Sequence, residues 1–80
     1  MPRYFFHIED GSHVQDDVGV ELDGLTEAKC EAVRLAGQSI CDAAGHFWDR
    51  EEWKLIASDE KGLTLFVLDF FGTEAPAVRS

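Results

Sequence analysis

Cationic side chains are scarce in this chain of 80 residues: seven Lys and Arg stand against sixteen Asp and Glu, a formal net charge of −9. A phosphate backbone is repelled by such a field unless the cations cluster, and Arg3, Lys29, Arg34, Arg50, Lys54, Lys61 and Arg79 are scattered. Neither nucleic acid nor an anionic membrane is therefore expected as a partner, whereas a basic protein is. Cysteine is scarce too. Cys30 and Cys41 fall within one predicted helix, ~16 Å apart along its axis, too far to form a disulfide with each other, so reduced thiols are expected. No apolar run approaches the ~20 residues of a membrane span. The start MPRYFFHIED lacks the basic and long apolar segments of a signal peptide, so residence in the cytoplasm is expected.

Catalytic signatures are missing as well. The seven glycines are isolated, with no phosphate-cradling loop after a strand, and no Ser or Cys stands in a nucleophile elbow. The sequence reads as a protein that is not an enzyme and holds no cofactor.

What the chain has is apolar patterning. RYFFHIE alternates Tyr4, Phe6 and Ile8 with Phe5 and His7 and reads as a first strand. The polar segment EDGSHVQDD reads as a loop and VGVEL as a second strand. Thr26 is the predicted N-cap of a helix from about Glu27 to Ala44, with Gly45 ending it. Trp53, Leu55 and Ala57 alternate with Lys54, Ile56 and Ser58 in a third strand. SDEKG makes a hairpin loop, and LTLFVLDFF is the fourth strand. The expected fold is α+β, β-β-α-β-β: a four-stranded antiparallel sheet with one helix packed on one face. Residues 1–72 form a single domain and 73–80 a flexible tail.

The last strand is apolar on both faces, and one helix covers only one face of a four-stranded sheet. A chain of this size hides only ~60–65% of its unfolded surface, so a second copy is the simplest cover for the rest. A homodimer is expected, through sheet faces or a strand edge, with Phe5, Ile56, Phe66, Leu68 and Phe70 as the interface. Asp69 lies near its rim, where Arg3 or Lys54 can meet it. Phe47, Trp48 and Trp53 could form a pocket at the helix end, although aromatics in so small a core are more often packing residues. His7, Asp10, His13, Asp16 and Asp17 could converge on a metal ion, but their spacing fits neither a zinc nor a calcium pattern.

The opening MPRYFFHIEDG, the residues Asp16, Gly19, Glu21 and Leu22, the helix opening at Glu27 and Ala28, and EWKLIASDEKGLTLFVLDF resemble one family. Its members are short bacterial domain-of-unknown-function proteins, abundant in rhizobia and related alphaproteobacteria, that begin with Met-Pro-Arg-Tyr-Phe-Phe. The resemblance implies a small cytoplasmic protein and carries no activity onto any residue. A looser likeness in element order joins it to antitoxin subunits of HicB type, which implies binding to a basic toxin. The Pro-Gly-Cys turn before the helix is replaced here by Asp23, Gly24 and Leu25, and no DNA-binding segment is appended. Three functional readings follow: a self-associating interaction or regulatory module with an acidic surface, a small-ligand or metal-binding protein built on the first loop, and an antitoxin-like domain.

Overall fold

The structure, a computed structural model, describes residues 1–10, 13–42, 47–48 and 53–79. Its elements run β1 (Arg3–Glu9), β2 (His13–Val14), β3 (Val20–Glu21), α1 (Leu25–Asp42), β4 (Trp53–Ser58), β5 (Thr64–Phe70) and the short α2 (Pro76–Arg79). The sheet is antiparallel and ordered β2-β1-β4-β5, with β3 also pairing β1. This is the α+β fold expected, with one difference. The segment EDGSHVQDD, expected to be a loop, contributes the short strand β2, and the expected second strand VGVEL is reduced to β3; β2 and β3 share the same edge of β1. The residues between them, Gln15 to Gly19, turn over the sheet to contact His7 and Phe5.

Cross-strand register sorts the side chains. Ile8 faces Leu55 and Phe6 faces Ala57, while Trp53, Leu55 and Ala57 face Phe70, Leu68 and Phe66. All of these lie on the helix side, where Tyr4, Phe6, Trp53, Leu55 and Ala57 are buried with Ala28, Ala32 and Ala36 of α1. The three alanines recur every fourth residue, a stripe narrow enough to let the helix lie close on β4. The opposite face carries Phe5, His7 and Glu9 on β1, Lys54, Ile56 and Ser58 on β4, and Thr64, Val67 and Asp69 on β5.

Backbone direction follows from a single hydrogen bond. The Phe6 N–H donates to the Asp16 carboxylate, on the edge away from β4. Alternation then turns the N–H and C=O groups of Ala57 toward β5 and those of Phe66, Leu68 and Phe70 toward β4. The main-chain groups of Val67 and Asp69 consequently point outward, along the outer edge of β5. A bulge breaks the ladder where Ala57 and Ser58 face Phe66 and Thr64.

The β4–β5 turn is built around Asp59, whose Oδ1 accepts from the N–H groups of Lys61 and Leu63. Gly62 takes the left-handed backbone there, φ 82°. The helix begins two residues earlier than a Thr26 cap would allow. The Ala28 N–H donates to the Gly24 carbonyl at 3.0 Å, which makes Gly24 the cap and places Thr26 inside the first turn. The expected helix end at Ala44 and Gly45 lies outside the described residues. The segment expected to be a tail holds one helical turn, α2, in which the Val78 N–H bonds to the Ala75 carbonyl.

Gly37 sits in the middle of α1, exposed, with nothing near the position a Cβ would take. Gly37→Ala should therefore stabilise the fold by about 0.5–1 kcal/mol, through helix propensity and a less flexible unfolded chain. Thermal melting should show a rise; an unchanged or lower midpoint contradicts this account of the position.

Candidate functional site

The polar residues of the first loop do come together, around the imidazole of His7. This ring is only 8% exposed although it lies on the sheet face opposite α1. Its Nδ1 accepts from the Asp16 backbone N–H at 3.0 Å, and its Nε2 lies 2.9 Å from Ser58 Oγ. A lone pair on Nδ1 places the neutral ring's hydrogen on Nε2, so His7 donates to Ser58. This tautomer is the opposite of the one that activates a serine, where Nε2 must accept the hydroxyl proton. The His7–Ser58 pair, close as it is, is arranged as a structural tie.

Asp16 is the hub of the loop. Its Oδ1 accepts from the N–H groups of Val18 and Gly19, both at 3.0 Å, and its Oδ2 from Phe6 at 3.1 Å. The Phe6 bond fills the gap on the edge of β1 between its pairings with β2 and β3; the carboxylate stands in for a strand. Partial burial pushes the Asp16 carboxyl upward, but the bonds from Gly19, Phe6 and Val18 outweigh it and hold the pKa below the ordinary carboxylate value. Gly19 takes φ 72°, and a Cβ there would lie 2.8 Å from the Phe5 ring, 2.9 Å from Arg3 Cγ and 2.9 Å from the Tyr4 carbonyl oxygen. Arg3 closes the loop by donating to the Val18 carbonyl at 2.9 Å and to Glu21 at 3.0 Å.

These ties occupy both His7 nitrogens and three of the roughly four acceptor positions of the Asp16 carboxylate. His13 stacks on His7, with ring centroids 6.2 Å apart, and spends its nitrogens on Glu9 and Gln15. Hydrogen bonds to Gln15 and Glu9 raise the His13 pKa. Among the described residues no three His, Cys, Asp or Glu side chains are placed to hold a metal ion. The expected set His7, Asp10, His13, Asp16 and Asp17 thus gathers only in part, as a hydrogen-bonded latch. Sequence spacing could not show this, because the partners are mostly backbone N–H groups.

Beside the latch lies an open hollow of about 400 Å³, floored by His7, Ser58, Phe5, Ile56 and Thr64 and rimmed by acids including Asp16, Asp17, Asp59 and Glu60. The aromatic pocket does not form as expected. Trp53 is buried in the core, packed edge-to-face on Phe70 at 5.6 Å. Phe47 and Trp48 contact each other instead, and the Trp48 ring lies against Gly72, leaving no room for a Cβ there. Trp48, half exposed, lines a separate depression with Thr73, Glu74, Ala75 and Val78. The difference arises because Trp53 belongs to the helix-facing side of β4, in register with Phe70.

The family model described as Domain of unknown function (DUF6894) matches residues 3–72. The chain belongs to that family. The DUF6894 span runs from the first residue of β1 to the glycine beneath Trp48, and so contains the whole sheet, α1 and the loop latch. No curated protein and no solved structure matches the chain. No helix among the described residues is long and apolar enough to cross a membrane.

The expected interface residues separate onto two faces. Phe66, Leu68 and Phe70 pack on the helix side against the core, whereas Phe5 and Ile56 lie on the other side. Alternation within each strand is visible in sequence, but which face of β5 meets which face of β4 is set by the hairpin turn and the bulge. The far face is also more polar than expected, with His7, Ser58, Glu9, Lys54 and Asp69 among its apolar residues, and the Gln15–Gly19 turn covers part of it. Among the described residues, no strand pairs with the outer edge of β5. Leu63, Leu65, Val67 and Phe71 are all exposed there, and Asp69 faces Lys54 in register.

Proposed function

We propose that this protein is a non-enzymatic interaction module of the cytoplasm, which self-associates and offers an acidic surface to a basic protein partner. The observation that carries this reading is the apolar strand β5 at the sheet margin, its outer edge paired with no other strand among the described residues. Soluble proteins normally protect such an edge with charge, proline, a covering segment or a partner. Bookkeeping inside the chain points the same way. Four of the eight buried apolar residues described are alanine, so the core is thin, and burial in an assembly would add what it lacks. The latch supports the absence of catalysis, since its histidine is a donor to the serine beside it.

Sedimentation across the low to high micromolar range tests the reading. The expected result is a mass that rises from monomer to dimer with concentration. A monomer mass throughout overturns it.

One observation favours a second reading. The hollow beside the latch has the volume of a small-ligand site, and at its floor Ser58 accepts from His7, leaving its own O–H free to donate. A small cationic compound with an acceptor group suits that floor and its acidic rim. A thermal-shift screen of such amines should then raise the melting temperature; no shift with any of them rejects this reading.

A further inference from the structure

We infer that β5 pairs antiparallel with β5 of a second copy about a two-fold axis at Val67, extending one sheet through both molecules. This rests on the self-association reading and specifies how it occurs.

The two margins of the sheet are unlike. At β1, the strands β2 and β3 and the Asp16 carboxylate occupy the outward main-chain groups. At β5, a strand of seven residues, ~24 Å long, pairs with β4 on one side, and no described strand pairs with the other. Burial falls toward that margin. On the helix side Trp53, Leu55 and Ala57 of β4 are almost fully enclosed, while their neighbours Phe70, Leu68 and Phe66 on β5 are only partly so. An added strand would cover those three further from the side.

The occupant that best matches is β5 itself. A two-fold axis perpendicular to the sheet keeps helix side with helix side, and paired residues must share a face, so the axis must pass through a residue. With Val67 on the axis, its outward N–H and C=O meet the C=O and N–H of Val67 of the second copy, and Asp69 comes opposite Leu65. On the helix side, Phe66 then faces Leu68 of the other molecule.

Charge selects this register. Asp69 is the sole ionised side chain in β5, and Lys54 stands opposite it within the chain. An axis at Asp69 would set two carboxylates directly opposite each other, and one at Leu68 would leave them diagonal neighbours; like charges at such positions disfavour pairing. An axis at Val67 puts each Asp69 opposite a leucine and moves the two carboxylates four positions apart. For a chain already at −9, that separation matters.

The test uses the outward direction of the Val67 backbone. Val67→Pro removes an N–H that makes no bond to β4, so the monomer should keep its circular dichroism spectrum while dimerisation is lost. Val67→Lys and Val67→Glu read the register itself. Each variant alone places like charges across the axis and should associate roughly tenfold or more weakly than the parent. An equimolar mixture should restore a dimer, now heteromeric, detectable by sedimentation or native mass spectrometry. A variant that had merely damaged the fold would not be rescued by mixing. If the parent dimerises but Val67→Pro dimerises equally well, or the charged variants are not rescued by each other, the pairing is overturned while self-association stands. If the parent never dimerises, both fall.

Discussion

Gly19→Ala should lower stability by about 3 kcal/mol, a loss assembled from two separate causes. The backbone there has φ 72°, which an L-residue with a Cβ adopts at a cost of roughly 1–2 kcal/mol. The new methyl would also sit 2.8–2.9 Å from the Phe5 ring, Arg3 Cγ and the Tyr4 carbonyl oxygen. Arg3 could swing away, but the Tyr4 carbonyl belongs to β1 and cannot move without disturbing the sheet. Overpacking of this kind typically adds about 1–3 kcal/mol. Total stability for a domain of this length is on the order of 4–12 kcal/mol, so the change removes a large share. Urea unfolding provides the measurement, with Gly37→Ala as the contrast. Near-equal stability of Gly19→Ala and the parent would show that the loop does not press on β1 as described.

Asp16→Ala should cost a similar amount, about 3 kcal/mol, because it strands three backbone N–H groups at once. That of Val18 is exposed and can recover water, whereas those of Gly19 and Phe6 are part-buried, the latter on the edge of β1. Asp16→Asn should fall in between. Its amide keeps one acceptor oxygen and turns an NH2 donor toward a group that is also a donor. The carboxylate gives the effect a pH signature. Burial raises its pKa, yet the bonds from Gly19, Phe6 and Val18 bring the folded value below the reference of 3.8. The unfolded chain therefore takes up the proton first as pH falls. The stabilisation is complete above the unfolded value and is lost as pH drops through the folded one. The stability gap between the parent and Asp16→Asn should accordingly narrow in acid, below about pH 4. A gap independent of pH would mean that the carboxylate charge is not what holds the loop.

Both predictions concern a loop whose residues are visible in sequence and whose purpose is not. His7, Asp16 and Gly19 stand out as unusual residue types in a polar stretch, and a metal site is a reasonable expectation for two histidines and several acids. The acceptors turn out to be filled by main-chain donors of Phe6, Val18, Gly19 and Asp16 itself, while the remaining ring N–H of His7 is spent on Ser58, fifty-one positions away. None of these donors announces itself by residue type. Gly19 is the exception that could have been read more closely, since a glycine three residues after an aspartate is a common frame for a side-chain-capped turn.

The strands and helix were legible from the chain because they depend on local patterning. Alternation over Arg3–Glu9 and Trp53–Ser58, apolar density over Thr64–Phe70, and small residues at every fourth position of α1 each reflect a repeat that the backbone geometry imposes. Faces and edges were not legible, because they depend on how one element meets another. The β4–β5 turn and its bulge decided that Phe66, Leu68 and Phe70 lie under the helix, and packing of the Gln15–Gly19 turn decided that the β1 margin of the sheet is closed, whereas no described strand pairs with the β5 margin. A hydrogen bond between distant residues, or a choice of register, leaves no periodic trace in sequence; it exists only once the chain has folded.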